Sequence, residues 1–467
     1  PWTSNTRQVF VGGRRLNQVG WTTPITVYPG LATNENIALV GAIRVNGISV
    51  LDQGYSDLVE PWSFYFSGSS MFICLPQGIN PNQTLTEISV RRIVNALYPY
   101  IYIKGITFRH SATMIPNGGV PAVSVGVLSS IENCTIEDCD WFGVSIRDGS
   151  RLVNCVVKNN GMGGGIAWGT NMLISGCRFL TNHYLQYDLR GEAAGMKVIG
   201  VPEYLDDSVW HSNEFAYNSG QGLWIDSMTT RQGKVFSVNR NYAHHNSSCG
   251  IMLEFSSYGW VVNNLSRDNR SRALYISQSR EHRIINNVFM APELSESVIR
   301  IAGGIGPYAY TSPKNLWIIN NVISKEELTS ANYPTNLQAA VYSVVGNCTG
   351  ITNIVFNYNK YLINGNRQGG DYFYFNNIDK VNGNNSSDCS QQLTWYRLSF
   401  SGVRSTGIES GGTYYSGAAS ISNFFRLTGV GTSVDSDDRT KQKWKWPTTL
   451  PLPLSVDRSG RWKTIKQ

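Results

Sequence analysis

The chain repeats itself, and this constrains its fold more than any other property of the sequence. Between about residues 100 and 325, short β-rich units recur as NCTIEDC from Asn133, NCVVKNN from Asn154, GCRFLTN from Gly176, SNEFAYN from Ser212, RNYAHHN from Arg240, NNLSRDN from Asn263 and NNVFMA from Asn286. Aligned, they place Cys134, Cys155, Cys177, Asn213, Asn241, Asn264 and Asn287 in one column. A second column, five residues on, reads Cys139, Asn160, Asn182, Asn218, Asn246 and Asn269. Successive spacings in the first column are 21, 22, 36, 28, 23 and 23 residues, so the basic unit is in the low twenties with two insertions.

A β-rich period of that length with no helical pattern predicts a solenoid of parallel strands, one coil per repeat. Leucine-rich repeats share the length but need a Leu framework that is missing here. The expected fold is all-β, a right-handed parallel β-helix with a small N-terminal antiparallel β module. Composition agrees: 46 Gly and 42 Asn make a turn-rich chain, and 12% aromatic residues supply a packed core. Stacked Asn at the bends can bond the backbone of the next coil, and the Cys column packs as small apolar residues rather than as nucleophiles. The expected organisation is 1–98 as the N-terminal module, 99–383 as the β-helix and 384–467 as a C-terminal capping region.

One strand per coil has the form Gly-apolar-x-apolar-x: Gly143–Arg147, Gly195–Ile199, Gly222–Asp226, Gly250–Glu254, Ala273–Ser277 and Val298–Ala302, with GGIAWG from Gly164 as an imperfect member. Side chains alternate faces, so the aliphatic second and fourth residues point inward and the third and fifth outward. One outward column reads Ser145, Lys197, Trp224, Met252, Tyr275, Arg300, and the other reads Arg147, Ile199, Asp226, Glu254, Ser277, Ala302. Asp226 and Glu254 thus share a register, with backbones about 4.8 Å apart on adjacent coils. Two such carboxylates repel, and an acid beside a base is what glycosidic cleavage uses; a separation of about 5 to 5.5 Å fits the retaining, two-step route. The bland alternative is a solvated pair balanced by Lys197 and Arg300. Trp224 and Tyr275 offer apolar surfaces for a sugar ring or seats for a loop. Insertions beside this strand contain Glu192, Glu203, Asp206 and Asp207, which could bond sugar hydroxyls or be solvated. His244 and His245 sit on another strand, where a surface or turn role is expected.

Four stretches carry a family resemblance: WSFYFSGSSMFICLPQGINPNQTLTEISVRR, IYIKGITFRHSA, NSGQGLWIDS and NSSCGIMLEFS. Over about residues 60 to 290 the chain resembles right-handed β-helix glycoside hydrolases of the β-xylosidase type, and LTWYRLSFSG around Trp395 loosely resembles their C-terminal region. The resemblance implies Asp226 as nucleophile and Glu254 as general acid/base, with a β-xyloside-like poly- or oligosaccharide as substrate. Lys197, Trp224, Tyr275, Arg300 and Glu192 are the expected substrate contacts.

Other classes have less support. The net charge of +7 comes from scattered basic residues, which argues against a nucleic-acid groove and leaves a mildly cationic surface suited to acidic glycans. No apolar run approaches the roughly 20 residues of a membrane span. No paired CxxC or ordered carboxylate spacing marks a metal site, so neither metal nor cofactor is expected. Cys348 and Cys389 fall outside the Cys column and could pair. The start at Pro1 reads as a processed or cropped terminus, and the substrate class suggests an extracellular or periplasmic location. Two competitors stay open: a polysaccharide lyase using Lys197 or Arg300 as base with acids on calcium, and a non-catalytic glycan-binding β-helix.

Overall fold

The computed structural model describes residues 93–111, 121–184, 193–200, 204–291, 297–303, 313–326 and 352–364, and individual strands elsewhere. The chain divides into two compact units, Pro1–Met228 and Thr229–Gln467. In each, the coils wind through three parallel sheets.

In the first unit, sheet 1 contains Val94–Ala96, Val123–Val125, Phe142–Ile146, Gly163–Ala167, Ala194–Ile199 and Gln221–Asp226, all paired parallel in that order. Sheet 2 stacks Tyr102–Lys104, Ser130–Glu132, Arg151–Val153, Leu173–Ser175 and Val209–His211. Sheet 3 stacks Thr107–Arg109, Thr135–Glu137, Val156–Lys158, Arg178–Leu180 and Glu214–Ala216, and Gln8–Phe10 pairs parallel with its first strand. The remaining strands before residue 90 form a seven-stranded sheet whose pairings are antiparallel apart from Ile48–Asp52 with Ser63–Ser67.

The second unit repeats the pattern. Its sheet 1 runs Cys249–Glu254, Arg272–Ser277, Ser297–Ala302, Ala340–Val345 and Phe373–Asn376, with Trp395–Leu398 added antiparallel. Sheet 2 begins with Phe236–Asn239, Gly259–Val262 and Arg283–Ile285, and sheet 3 with Tyr242–His244, Leu265–Arg267 and Val288–Ala291.

Inward positions fill the coils with aliphatic and aromatic side chains. Ile131, Leu152, Ile174 and Trp210 line sheet 2, and Ile136, Val157, Phe179 and Phe215 line sheet 3, all fully buried. Phe179 and Phe215 stack at 5.1 Å. The imperfect repeat at Gly164 has a packing reason: a Cβ on Gly165 would lie 3.1 Å from Phe179 Cε1, and one on Gly163 only 2.3 Å from Phe142 Cε1.

Both Asn columns form ladders. Asn241 donates through its backbone N–H (2.9 Å) and side-chain Nδ2 (3.0 Å) to Asn264 Oδ1, and Asn264 does the same to Asn287. Asn160, Asn182 and Asn218 form the equivalent ladder at the second corner of the first unit. The left-handed backbone falls one residue before each ladder position, as at Asn133, Asn154, Asn263 and Asn286. The recurring Asn-Asn and Asn-Cys pairs therefore divide the work: the first residue turns the chain, and the second bonds the next coil.

The Cys stack continues the ladder, since Cys134 N–H and Cys155 N–H point at the next sulfur, and Cys177 N–H donates to Asn213 Oδ1. A third corner uses Ser, which the repeat reading did not detect: Ser129 N–H donates to Ser150 Oγ, Met172 N–H to Ser208 Oγ, and Ser256 N–H to Ser279 Oγ.

His245 is exposed in a left-handed turn as expected, whereas His244 is buried, stacked on Tyr242 at 4.0 Å and bonded to His245. A surface role for His244 is thereby corrected: sheet 3 packs it against the preceding aromatic. Cys348 and Cys389 lie outside the described residues.

Candidate functional site

Where a glycine is the second residue of a sheet-1 strand, as at Gly143, Gly195 and Gly250, it is set by the ladder behind it. A Cβ on Gly143, Gly195 or Gly250 would lie 2.7, 2.7 or 2.6 Å from Nδ2 of Asn160, Asn218 or Asn269 respectively. These positions point inward, as do the aliphatic residues that follow them. The parity reverses at the glycine, so the residue before it joins the outward face. Sheet 1 thus has three outward columns, and counting backwards in steps of two from Tyr275 misses the one that contains Arg272.

In the first unit, the register places Ser145, Ile166, Lys197 and Trp224 side by side, and Ile199 beside Asp226. Asp226 is nine-tenths buried at 8% exposure, and its two oxygens have different donors. Lys197 Nζ lies 3.1 Å from Oδ2, and Ser227 Oγ donates to Oδ1 at 3.0 Å. The Lys197 ammonium also sits 3.9 Å over the Trp224 ring. Lys197 and Trp224 are both buried, at 3% and 4% exposure, so the open aromatic face expected of Trp224 is covered by a cation. What the strands build here is an ion pair capped by an indole, with Lys197 balancing a charge that burial alone would make costly.

In the second unit, Met252 pairs with Tyr275 and Glu254 with Ser277, then Tyr275 with Arg300 and Ser277 with Ala302. Glu254, Tyr275 and Arg300 are half-buried. Two guanidiniums converge on Tyr275: Arg272 Cζ is 5.1 Å from the ring centroid and Arg300 Cζ 5.5 Å. Burial, and then the charge of Arg300, hold the Arg272 guanidinium below its ordinary pKa. Its register partner Cys249 is a buried thiol raised by burial. Glu192 and Glu203 lie outside the described residues. Among the described residues, no group of three or more His, Cys, Asp or Glu is placed to hold a metal ion, and no helix is long and apolar enough to cross a membrane.

A family model described as the right-handed β-helix region matches residues 117–183 and 200–327. The solenoid is a right-handed parallel β-helix. No curated protein matches the chain. Among solved structures, the chain is similar to XylC in complex with xylose at 15% identity, covering 76% of this chain and 72% of that one with a TM-score of 0.45. It is also similar to the periplasmic alginate epimerase AlgG at 12% identity, 68% coverage of each chain and a TM-score of 0.40. The A-module of the mannuronan C-5 epimerase AlgE6 of Azotobacter vinelandii gives 12% identity, 58% of this chain, 80% of that one and a TM-score of 0.39. At such identity and overlap these likenesses assign no activity.

Proposed function

We propose that this β-helix is a carbohydrate-active enzyme, a retaining glycoside hydrolase with Asp226 as nucleophile and Glu254 as general acid/base. One observation carries the reading: a buried carboxylate on the outward face of sheet 1, oriented at both oxygens by Lys197 and Ser227. A nucleophile needs that fixed aim, and donors arranged beforehand cost nothing at the moment of attack. The role of Glu254 rests on the shared pattern of GLWID and GIMLE, which gives the two carboxylates the same place in their strands.

In the first step Asp226 attacks the anomeric carbon, the glycosidic C–O bond breaks, and Glu254 gives its proton to the leaving oxygen. In the second step Glu254 takes a proton from water as that water displaces Asp226. Lys197 acts as a positioning residue for Asp226, while Tyr275, Arg300 and Glu192 contact the glycan. The substrate is a β-xyloside-like linkage in a plant or microbial polysaccharide or oligosaccharide, with the protein acting outside the cytoplasm.

An aryl-glycoside panel tests this. Asp226→Ala is expected to lose at least about a thousandfold in kcat, and Glu254→Ala much less on substrates whose leaving group needs no proton. Equal, mild losses in both variants would sink the assignment. An ultraviolet-absorbing unsaturated product, abolished by chelator, would turn the reading to a lyase. Glycan binding without cleavage, retained in both variants, would make the protein a binding module.

A further inference from the structure

The first two coils turn a group of apolar side chains toward water. Among the described residues, six of the ten exposed large apolar side chains fall there: Leu97, Tyr98, Tyr100, Tyr102, Val127 and Leu128. Tyr98 is 79% exposed and Tyr100 74%. Backbone bonds hold the two coils together at this corner, where the Tyr100 N–H donates to the Val127 carbonyl and Tyr102 stands opposite Ser130 on sheet 2. Single exposed apolar residues are ordinary, whereas a group of them marks a contact surface.

The backbone supplies an independent sign. The corner recurs in each coil: Tyr100, Leu128, Gly149 and Asn171 each donate an N–H to the residue just before the next member, and the series ends at Asp207. All five have left-handed φ. Gly, Asn and Asp take that conformation at low cost, but Tyr and Leu do not. The first two coils thus carry bulky apolar residues where the next three carry tolerant ones, and the strained side chains face water. The column makes room for them, since a Cβ on Gly149 would lie 2.5 Å from Leu128 Cδ2. Tyr217, Tyr258 and Tyr358 are left-handed too, so strain alone marks nothing; strain within a group of exposed aromatics does.

Beside the tyrosines stands a carboxylate with a fixed aim. Glu132 Oε2 accepts from Tyr102 Oη at 3.0 Å, and its Oε1 accepts from Ser130 Oγ at 2.9 Å. Each oxygen keeps a further lone pair for another donor. Phenol faces suit the C–H face of a sugar ring, and phenol hydroxyls with a held carboxylate suit its hydroxyls.

We propose that Tyr98, Tyr100 and Tyr102, with Glu132 beside them, form a second glycan-binding site, a platform for a pyranose chain. Recognition by ring faces and hydroxyls needs no charge on the sugar. The platform follows Val94–Ala96, five sheet-1 strands from the one that ends in Asp226. That is about 24 Å along the stack, so the platform holds a polysaccharide away from the reacting bond. It goes beyond the proposed function and rests on its carbohydrate reading alone, needing neither Asp226 nor Glu254.

Native gels cast with arabinoxylan, with mixed-linkage β-glucan or with no polysaccharide test this on the full chain. At least one of the two polymers should retard wild type, and should retard Asp226→Ala equally. Tyr98→Ala and Tyr100→Asn should each weaken the retardation by at least about fivefold in apparent Kd, and Glu132→Gln by several-fold. Tyr100→Asn should melt no lower than wild type, because Asn holds the left-handed turn at less cost, as Asn171 does at the same corner. Binding lost with stability kept separates a ligand platform from packing.

Retardation by neither polymer, or retardation unchanged in both tyrosine variants, would overturn the platform. So would a lower melting temperature in both variants, which makes the patch a seat for the rest of the chain, or self-association abolished by both, which makes it an interface between copies. Aryl glycosides cleaved by a protein that no polymer retards would overturn the platform and leave the hydrolase standing. Retardation lost in the tyrosine variants, with no glycoside cleaved by wild type, does the reverse.

Discussion

His282 shows how one side chain ties pH to stability. It is fully buried, its Nδ1 accepts the Gly259 N–H at 2.9 Å, and its Nε2 lies 3.2 Å from Ser256 Oγ. Accepting at Nδ1 fixes the proton on Nε2, so the ring donates to Ser256 and cannot serve as its base. The apparent Ser–His pair is a corner brace. Burial, the largest cause, takes its pKa from 6.5 down to about 3. A base depressed on folding must be neutral in the native state, so its contribution is complete above pH 6.5 and is lost as pH falls toward 3. About 2 kcal/mol should be gone at pH 5 by this linkage. Thermal melts at pH 7.5 and 5 should show a smaller fall in Tm for His282→Gln, which keeps an acceptor and a donor but no titration. An identical fall in both proteins would assign the acid sensitivity elsewhere.

At the scale of the element, the ladder sets the strand. Asn264 accepts two bonds from Asn241, and it donates to Asn287 and to the Val238 carbonyl at 2.9 Å. Asn264→Ala removes the acceptor of the Asn241 N–H and Nδ2 and the side-chain donor to the Val238 carbonyl, and should cost about 3 kcal/mol or more by denaturant melting. Asn353, which donates to Asn315 at an exposed position with a left-handed backbone, should cost under about 0.5 kcal/mol when changed to Gly, which keeps that conformation unstrained. Similar values for the two would remove the ladder as a source of stability. The repeat made this much legible in advance, because a ladder needs the same side chain in every coil and so leaves a column in the sequence. The Ser corner left no such trace, since a hydroxyl bonding one N–H is satisfied by fewer coils and Met172 interrupts it. The columns of sheet 1 were legible through period-two alternation. Arg272 was not, because the inward small residue that follows it, Ala273, breaks the period just where the strand begins. Nor could alternation show that Lys197 would be spent on Asp226, since an outward column gives neighbours but not which of them pair.

The whole chain has few charges and many small polar groups, so its coils are held by backbone pairing and buried ladders more than by ion pairs. In a solenoid each coil leans only on its neighbours, and stability spreads along the stack. The cysteines report on this. Cys134, Cys139, Cys155 and Cys177 in the first unit and Cys249 in the second are free and buried. The Cys134 thiol is pushed up by its bond with Cys155 and by burial. In Cys155 the bond with Cys134 pulls down, while the bond with Cys177 and burial together leave it at about 12. Thiols so placed lack both the thiolate and the access that alkylation needs. Iodoacetamide labelling at pH 8, mapped by peptide mass, should leave all five unmodified in native buffer. Along a denaturant series, the four of the first unit should take up label at one concentration, because opening one coil exposes the ladder of the next. Labelling of Cys134 or Cys155 in native buffer at the rate of an unfolded peptide would contradict the buried stack, and four separate midpoints would contradict its cooperativity.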